Sequence, residues 1–223
     1  MPSLSCNPAT DAVLTTVADW PAAAIDAALR QAHVAFTQWR GLPLATRQTF
    51  FHQLARQVRQ QAPQLARLIS QEMGKPCTEA AIEIEKCAYL CEAYQDHAAE
   101  WLADAPLPEQ PQRCVRFEPL GVVLGIMPWN FPFWQVFRYA VPALLAGNVT
   151  VLKHAANVPQ CAAAIDALFQ AAGFPTGVFT WLPMNASQVA TVIASPWVSG
   201  VTFTGSEPAG RQVAAWAGRH LKK

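Results

Sequence analysis

An uncharged amide, that of Asn130, stands between an apolar run and a predicted helix start. Residues 122–126 are apolar and bounded by glycines, which is typical of a strand covered on both faces. Pro132 can occupy the first turn of a helix, where a missing N–H costs nothing. Because ligands of open α/β sheets bind at the carboxyl ends of strands, we predict a ligand site at Asn130. The amide is expected to be ringed by aromatic side chains, those of Trp129, Phe131, Phe133 and Trp134.

Two further predicted strands end in residues that could contact a ligand. Lys153 could reach ribose hydroxyls or a phosphate, although a lysine at a strand end can equally extend into solvent. Gly205 lets a backbone approach a ligand closely, and Ser206 can cap a helix whose positive end favours phosphate. An ordinary capped turn explains the same residues. The glycine fingerprint of Rossmann dinucleotide sites is absent, so the coincidence of these strand ends carries the prediction.

The elements that must position these residues fall into two parts. A hairpin-like arm and helices are predicted first, followed by a proline-rich polar link and then by alternating strands and helices. The arm covers residues 5–17, the helices 22–39, 47–60, 63–73 and 78–101, and a strand 113–117. The later strands are 122–126, 150–153, 178–182 and 200–203, and the later helices are 132–145, 159–171, 186–194 and 207–220. This alternation predicts an α/β fold with a parallel sheet and right-handed crossovers.

Composition excludes several classes of protein. The chain has 223 residues, of which 52% are hydrophobic and 14% charged, so a sizeable globular core is expected. A net charge of +1 gives no electrostatic basis for binding nucleic acid. No apolar run reaches the roughly 18 residues of a membrane span, and the first residues lack a secretory pattern. We therefore expect a cytoplasmic protein.

The six cysteines show no disulfide spacing, and a reducing compartment makes a disulfide framework unexpected. Cys87 and Cys91 share a face of a predicted helix, with only His97 nearby as a further ligand. We expect these two thiols to pack in a helix interface rather than to bind a metal, and no metal site is predicted.

Several sequence segments, in their order and spacing, resemble the NAD(P)-dependent aldehyde dehydrogenase superfamily over essentially the whole chain. They are Pro128-Trp-Asn-Phe-Pro132, Pro142-Ala-Leu-Leu-Ala-Gly-Asn148, Val151-Leu-Lys153 and Phe203-Thr-Gly-Ser206 with Gly210. The segments Asn7-Pro-Ala-Thr10 and Glu72-Met-Gly-Lys75 also fit. Leu152-Lys-His-Ala155 and the segment 204–211 look most like the succinate-semialdehyde dehydrogenase subgroup.

The resemblance implies a role for each matching residue. The Asn130 amide, with a backbone N–H, would hold the oxyanion of a thiohemiacetal, where a neutral donor stabilises developing charge. Lys153 would contact the adenosine ribose, Trp129 would line the cofactor cleft, and Gly205 and Ser206 would lie against the pyrophosphate. The full set implied to bind NADP or NAD is Met127, Pro128, Trp129, Lys153, Ala156, Gly205, Ser206 and Ala209.

Two departures from the family pattern matter. Ala156 stands where the family often has a ribose-chelating glutamate, so no carboxylate repels a 2′-phosphate, and NADP should be accepted at least as well as NAD. The family's general-base glutamate and nucleophilic cysteine belong to later segments, and none of the six cysteines has that context. Since covalent capture of an aldehyde needs a thiolate, the chain is expected to end before the catalytic domain and to be inactive alone.

The expected organisation is an arm and helical part over residues 1–103, a link with a partial oligomerisation hairpin over 104–119, and a Rossmann-like NAD(P)-binding core over 120–223. Its partners would be a small aldehyde and a dinucleotide, without nucleic acid or membrane. The complete family forms homo-oligomers, and the unpaired hairpin predicts exposed apolar surface.

Two alternatives remain open at this point. The chain could be a non-catalytic protein that binds a dinucleotide or assembles with a longer relative. A Cys/His hydrolase using Cys161 and His154 lacks a nucleophile elbow and is remote. The other histidines are expected to be surface or packing residues, namely His33, His52, His97 and His220.

Overall fold

The computed structural model describes residues 3–223 and contains eight strands and eight α-helices in that range. The strands are β1 (Ser3–Cys6), β2 (Val13–Val17), β3 (Ala105–Leu107), β4 (Gln110–Val115), β5 (Val122–Met127), β6 (Val149–His154), β7 (Phe179–Trp181) and β8 (Val198–Phe203). The helices are α1 (Ala22–Trp39), α2 (Leu44–Gln60), α3 (Ala62–Met73), α4 (Cys77–Trp101), α5 (Trp134–Leu145), α6 (Pro159–Ala171), α7 (Val189–Ala194) and α8 (Glu207–Arg219).

The central sheet has four parallel strands in the order β7-β6-β5-β8. From β5 the chain proceeds to β6 and β7 on one side, then returns to place β8 on the other side of β5. The strand order therefore reverses between β5 and β8, and ligands of such sheets bind in the crevice outside the carboxyl ends at that point. The predicted parallel α/β sheet is confirmed.

Two small antiparallel pairs accompany the sheet. The N-terminal arm pairs β1 with β2, as predicted. The predicted strand at residues 113–117 is displaced, because β4 spans Gln110–Val115. Pairing with β3 sets this register, since Ala105 lies opposite Val115 and no residue of β3 extends farther to hold the following residues.

Helix boundaries lie within one residue of the predicted ones except at α2, α5 and α7. The second helix, predicted from residue 47, begins at Leu44 directly after Pro43, which occupies its N-cap position. The first helix has the predicted bounds, and Gly74 ends α3 in a left-handed conformation with φ of 78°. The prediction that Pro132 begins a helix is wrong, because α5 begins at Trp134. The predicted helix at 186–194 begins as a 3₁₀ turn, Ala186–Gln188, before α7.

One hydrophobic core joins the N-terminal helices to the sheet and its helices. Trp39 of α1 is buried and donates from its indole Nε1 to the Leu144 carbonyl of α5 at 2.8 Å. Cys87 and Cys91 on α4 are completely buried, and burial raises the pKa of both thiols. The prediction that they pack inside a helix interface is confirmed.

Across residues 3–223, no helix combines the length and the apolar character that crossing a membrane requires. In the same range, no three His, Cys, Asp or Glu side chains are grouped so that they could hold a metal ion. The six cysteines are free thiols.

Candidate functional site

A cleft of about 240 Å³ lies at the carboxyl ends of β5, β6 and β8. Six of the eight residues predicted to contact a dinucleotide line it, namely Met127, Pro128, Lys153, Gly205, Ser206 and Ala209. Phe203, Val213 and Trp216 contribute apolar wall. Trp129 and Ala156 are exposed and are not among the lining residues. The topology therefore brings most of the predicted residues together at the point where the strand order reverses.

Lys153 places a cation in this cleft. It lies one residue from the end of β6, opposite Ile126 of β5, and both residues line the cleft. Burial lowers the pKa of the Lys153 ammonium, and the nearby charge of Asp19 acts in the opposite direction. A partly desolvated ammonium gains more from an anionic partner than a hydrated one does.

The Gly205 turn is shaped by an aromatic ring. A Cβ on Gly205 would lie 2.5 Å from Cζ of Phe203, and a Cβ on Gly210 would lie 3.2 Å from Cε1 of the same ring. The two glycines thus leave space for the Phe203 ring, which forms part of the cleft wall. The interpretation of Gly205 only as a point of close ligand approach missed this packing role. Ser206 occupies the N-cap position of α8, but its side chain forms no capping hydrogen bond, so that predicted cap is wrong.

Asn130 lies on an exposed turn between β5 and α5. Trp129 is 48% exposed and Phe131 is 44% exposed, whereas Phe133 is completely buried in the core. The predicted ring of four aromatic side chains is therefore wrong for Phe133. The amide remains accessible just after the end of β5, close in sequence to Met127, the last residue of that strand, and to Pro128, both of which line the cleft.

A buried carboxylate of α4 holds the far end of this turn. The backbone N–H groups of Phe133 and Trp134 donate to Glu83 Oε1 at 2.9 and 3.0 Å. Lys75 forms an ion pair with the other carboxylate oxygen, and its Nζ lies 3.8 Å from the centroid of the Phe131 ring. Sequence reasoning missed Glu83. The available signal was an acidic residue spaced among the buried positions of α4.

His154 holds the same turn from the end of β6. Its Nε2–H donates to the Pro132 carbonyl at 2.9 Å, and its Nδ1 accepts from the Ala155 N–H at 2.8 Å. The carbonyl can only accept, so the proton lies on Nε2. Burial lowers the pKa of His154 to about 4, so the ring is neutral near pH 7.

The Cys161 and His154 hydrolase hypothesis is wrong. Cys161 lies in the first turn of α6, and its backbone N–H donates to Glu72 Oε2 at 2.7 Å. Burial and the neighbouring Glu72 carboxylate raise the pKa of the Cys161 thiol well above its ordinary value. Both nitrogens of His154 are already engaged by backbone groups. The four other histidines are exposed, as predicted for surface residues.

Carboxylates of the protein occupy two of the three helix N-termini that follow β5, β6 and β8. Glu83 accepts from the start of α5, and Glu72 of α3 accepts from Gln160 and Cys161 at the start of α6. No such carboxylate from another helix, among the residues described, accepts from the start of α8, where Ser206 and Ala209 line the cleft. Glu207 in this first turn pairs with Arg211 at 2.7 Å. Since helix N-termini attract anions, α8 is the one available to an anionic ligand.

The parallel sheet, its strand order and the cleft at the point of reversal define an α/β domain of the Rossmann-like type. The aldehyde dehydrogenase family model matches residues 3–223. The chain belongs to the aldehyde dehydrogenase family, and the predicted resemblance is confirmed.

Curated relatives include a probable NADP(+) succinate-semialdehyde dehydrogenase of Synechocystis sp., which is 44% identical over 97% of this chain and 48% of its own length. The Escherichia coli K12 NAD(P)+ succinate semialdehyde dehydrogenase Sad is 40% identical over 99% of this chain and 48% of its own length. The chain spans about half the length of these relatives. The solved succinic semialdehyde dehydrogenase of Streptococcus pyogenes with NADP+ matches with a TM-score of 0.95 and 35% identity, over 99% of this chain and 49% of that one.

Proposed function

We propose that these residues form the NADP- or NAD-binding part of an aldehyde dehydrogenase that oxidises succinic semialdehyde to a carboxylate. The observation that carries the proposal is the convergence of six predicted contact residues on one cleft at the strand-order reversal. The names of the relatives support the semialdehyde and the cofactor. We also propose the domain organisation given above, with a helical part over residues 1–103, a link over 104–119 and the NAD(P)-binding core over 120–223.

The cleft suits a dinucleotide in charge as well as in position. The first turn of α8 would face the pyrophosphate, and Lys153 would contact the adenosine ribose or a 2′-phosphate. Met127 and Pro128 would bring the cofactor beside the Asn130 turn. The bound cofactor supplies the hydride acceptor. Because Ala156 offers no carboxylate, we propose that NADP binds at least as well as NAD.

Asn130 would donate its side-chain N–H to an aldehyde oxygen as negative charge develops there. None of the thiols in these 223 residues suits nucleophilic attack at this point. Cys87, Cys91 and Cys161 are buried with raised pKa values, and the three remaining cysteines do not line the cleft. We therefore propose that a polypeptide of these residues binds the cofactor without turnover.

Calorimetric titration of the purified chain with NADP and with NAD tests this function. We expect saturable binding of NADP and no oxidation of succinic semialdehyde. Lys153→Met should weaken NADP binding by about tenfold or more, since a hydrogen bond from a charged group contributes about 1.5–3 kcal/mol. Lys86→Met is the matched control, because Lys86 lies over Trp134 and outside the cleft. Absence of binding by either cofactor, or turnover by the chain alone, would contradict the proposal.

A second candidate is a protein whose main role is assembly with other chains. The observation in its favour is exposed apolar surface on and after the β3–β4 hairpin, formed by Leu107, Val115, Phe117 and Leu120. We expect concentration-dependent association, measured by light scattering, that Phe117→Ser reduces. Val34→Thr, an exposed apolar position on α1, should leave association unchanged. A monodisperse monomer that binds no hydrophobic dye would contradict this candidate.

A further inference from the structure

We propose that the buried Lys75–Glu83 pair is a positioning device that sets where the Asn130 amide points. The proposal rests on the proposed function for the meaning of that amide, whereas the positioning itself is a separate physical claim. Neither residue belongs to the strand or the helix that the Asn130 turn connects. Lys75 lies in the link between α3 and α4, and Glu83 lies on α4.

The geometry uses both oxygens of the Glu83 carboxylate. One oxygen accepts from the N–H groups of Phe133 and Trp134, and the other pairs with Lys75. The Glu83 side chain is 2% exposed and the Lys75 side chain is 7% exposed, so neither charge is well hydrated. The same ammonium lies over the ring of Phe131, the residue next to Asn130. The pair therefore contacts the turn directly on the C-terminal side of the amide.

The turn has few hydrogen bonds of its own, and in one of them the Phe131 carbonyl accepts from the Gln135 N–H at 3.0 Å. Phe133 occupies the N-cap position of α5 and offers no side-chain cap, and Pro128 and Pro132 have no N–H to donate. Glu83 supplies the missing acceptor for the amides after Asn130, while His154 supplies a donor to the Pro132 carbonyl. The backbone from Pro132 to Trp134 is thus held from two sides, by α4 and by the end of β6.

A buried ion pair is weak support for stability in general, because apolar residues of similar volume can replace one without loss. A pair that also accepts two helix amides does something that an apolar replacement cannot. The chain provides a matched comparison, since Glu72 caps α6 by the same chemistry, and the two backbone N–H groups that it accepts from belong to Gln160 and Cys161 rather than to the Asn130 turn. Replacing either carboxylate by a neutral amide weakens a helix cap, but only the change at Glu83 should disturb Asn130.

The experiment compares Glu83→Gln, Glu72→Gln and the double variant Lys75→Met/Glu83→Gln by ¹⁵N NMR of the full chain, with unfolding in urea measured in parallel. The Asn130 side-chain amide signals are assigned by their loss in Asn130→Asp. Glu83→Gln should shift or broaden these signals and speed exchange of the Phe133 and Trp134 amides by about tenfold beyond the change in global stability. Glu72→Gln should speed exchange at Gln160 and Cys161 instead.

The double variant should leave the Asn130 signals displaced, because it has neither the ion pair nor an ammonium over the Phe131 ring. Restored signals in the double variant would show that the pair is not needed to place the amide, and would overturn the proposal. Unmoved Asn130 signals in Glu83→Gln, or an equal shift in Glu72→Gln, overturn the proposal. If Glu83→Gln does not fold, the Lys75→Arg variant decides in the same way, since it keeps the charge and changes the contact with Phe131.

Titration of the same variants with NADP separates this proposal from the proposed function. Glu83 does not line the cofactor cleft, so Glu83→Gln should shift the Asn130 signals while the NADP dissociation constant stays unchanged. A parent chain that binds no NADP refutes the proposed function and leaves the positioning claim to the NMR result. NADP affinity that falls equally in Glu83→Gln and Glu72→Gln indicates general loosening and overturns the positioning claim.

Discussion

Replacement of Gly205 by alanine tests whether the Phe203 ring sets the shape of the cleft. The added Cβ would lie 2.5 Å from Cζ, 3.1 Å from Cε2 and 3.3 Å from Cε1 of Phe203. The first of these separations is too short for any carbon contact, so the ring must move. Gly210 packs closely against the same ring, since a Cβ built on Gly210 would lie 3.2 Å from Cε1 of Phe203. We therefore expect the ring to move into the cleft that it lines.

The cost follows from the packing. Inserting a methyl group into a filled site costs about 1–3 kcal/mol. If the ring moves into the cleft, the ligand must displace it in order to bind, and the binding free energy of NADP is weakened by a similar amount. We therefore expect NADP affinity to fall by about tenfold to a hundredfold in calorimetric titration. The double variant Gly205→Ala/Phe203→Leu should recover much of this affinity, because the smaller side chain leaves room for the methyl group.

Gly218→Ala is the control, since nothing lies within 4 Å of a Cβ at that position on the same helix. It should stabilise the chain against urea by about 0.5–1 kcal/mol without changing NADP affinity. Equal affinity and equal stability of Gly205→Ala and the parent chain would refute the reasoning, because the ring would then have moved at no cost. Lost stability with unchanged affinity would show that the ring moves away from the cleft.

Three further predictions follow from single side chains. Ala156→Glu should weaken NADP relative to NAD by about 1–2 kcal/mol, the repulsion of close charges in largely aqueous surroundings, and an unchanged ratio in paired titrations would contradict it. The pKa of His154 is lowered from 6.5 to about 4 in the folded chain, so the unfolded chain binds more protons between these pH values. The contribution of the neutral ring to the free energy of unfolding is therefore complete at neutral pH and is lost as the pH falls from 6.5 to about 4. In urea unfolding, this loss should amount to about 3 kcal/mol relative to His154→Asn, and identical pH slopes would count against it. Tyr139→Phe should keep or raise the free energy of unfolding by up to about 1 kcal/mol, because its buried hydroxyl has no partner among the described residues; a clear loss would reveal a partner.

The place of the cleft could be predicted because it depends on rules that act along short stretches of chain. Apolar runs identify the strands, and parallel strands bring their carboxyl ends to one edge, so the residues after each strand converge. Lys153 and Ser206 are 53 positions apart in the chain, yet each needed only its own strand to be assigned. The same logic could not decide whether Trp129 and Ala156 line the cleft, because that depends on how each turn leaves its strand.

The start of α5 shows where local rules fail. A proline at the first turn is a sound local signal, but the two amides that open α5 bond to a carboxylate 50 and 51 positions away. An acidic residue on a helix looks the same in sequence whether it meets water or a distant helix end. For Glu72 the separation is 88 and 89 positions. Gly205 presents a similar difficulty, because the orientation of the Phe203 ring, which the sequence does not reveal, leaves no room for a side chain at that position.

The buried glutamates also bear on where an anion can bind. Each of the helices α5, α6 and α8 begins near the same edge of the sheet, so each would by itself be a candidate for the pyrophosphate. Glu83 and Glu72 accept hydrogen bonds from the backbone N–H groups at the starts of α5 and α6, so these groups are not free to bind a phosphate. The negative charges of the two carboxylates would also repel a phosphate there. The acidic residue in the first turn of α8, Glu207, is paired with Arg211. The helical layer formed by α3 and α4 contributes no residue to the cleft lining, yet it leaves α8 as the proposed anion site. If this is correct, Glu72→Gln should not create a second phosphate site, because the neutral side chain still occupies the α6 amides, whereas Glu72→Ala should free them and allow weak, salt-sensitive binding of inorganic phosphate that the parent chain lacks.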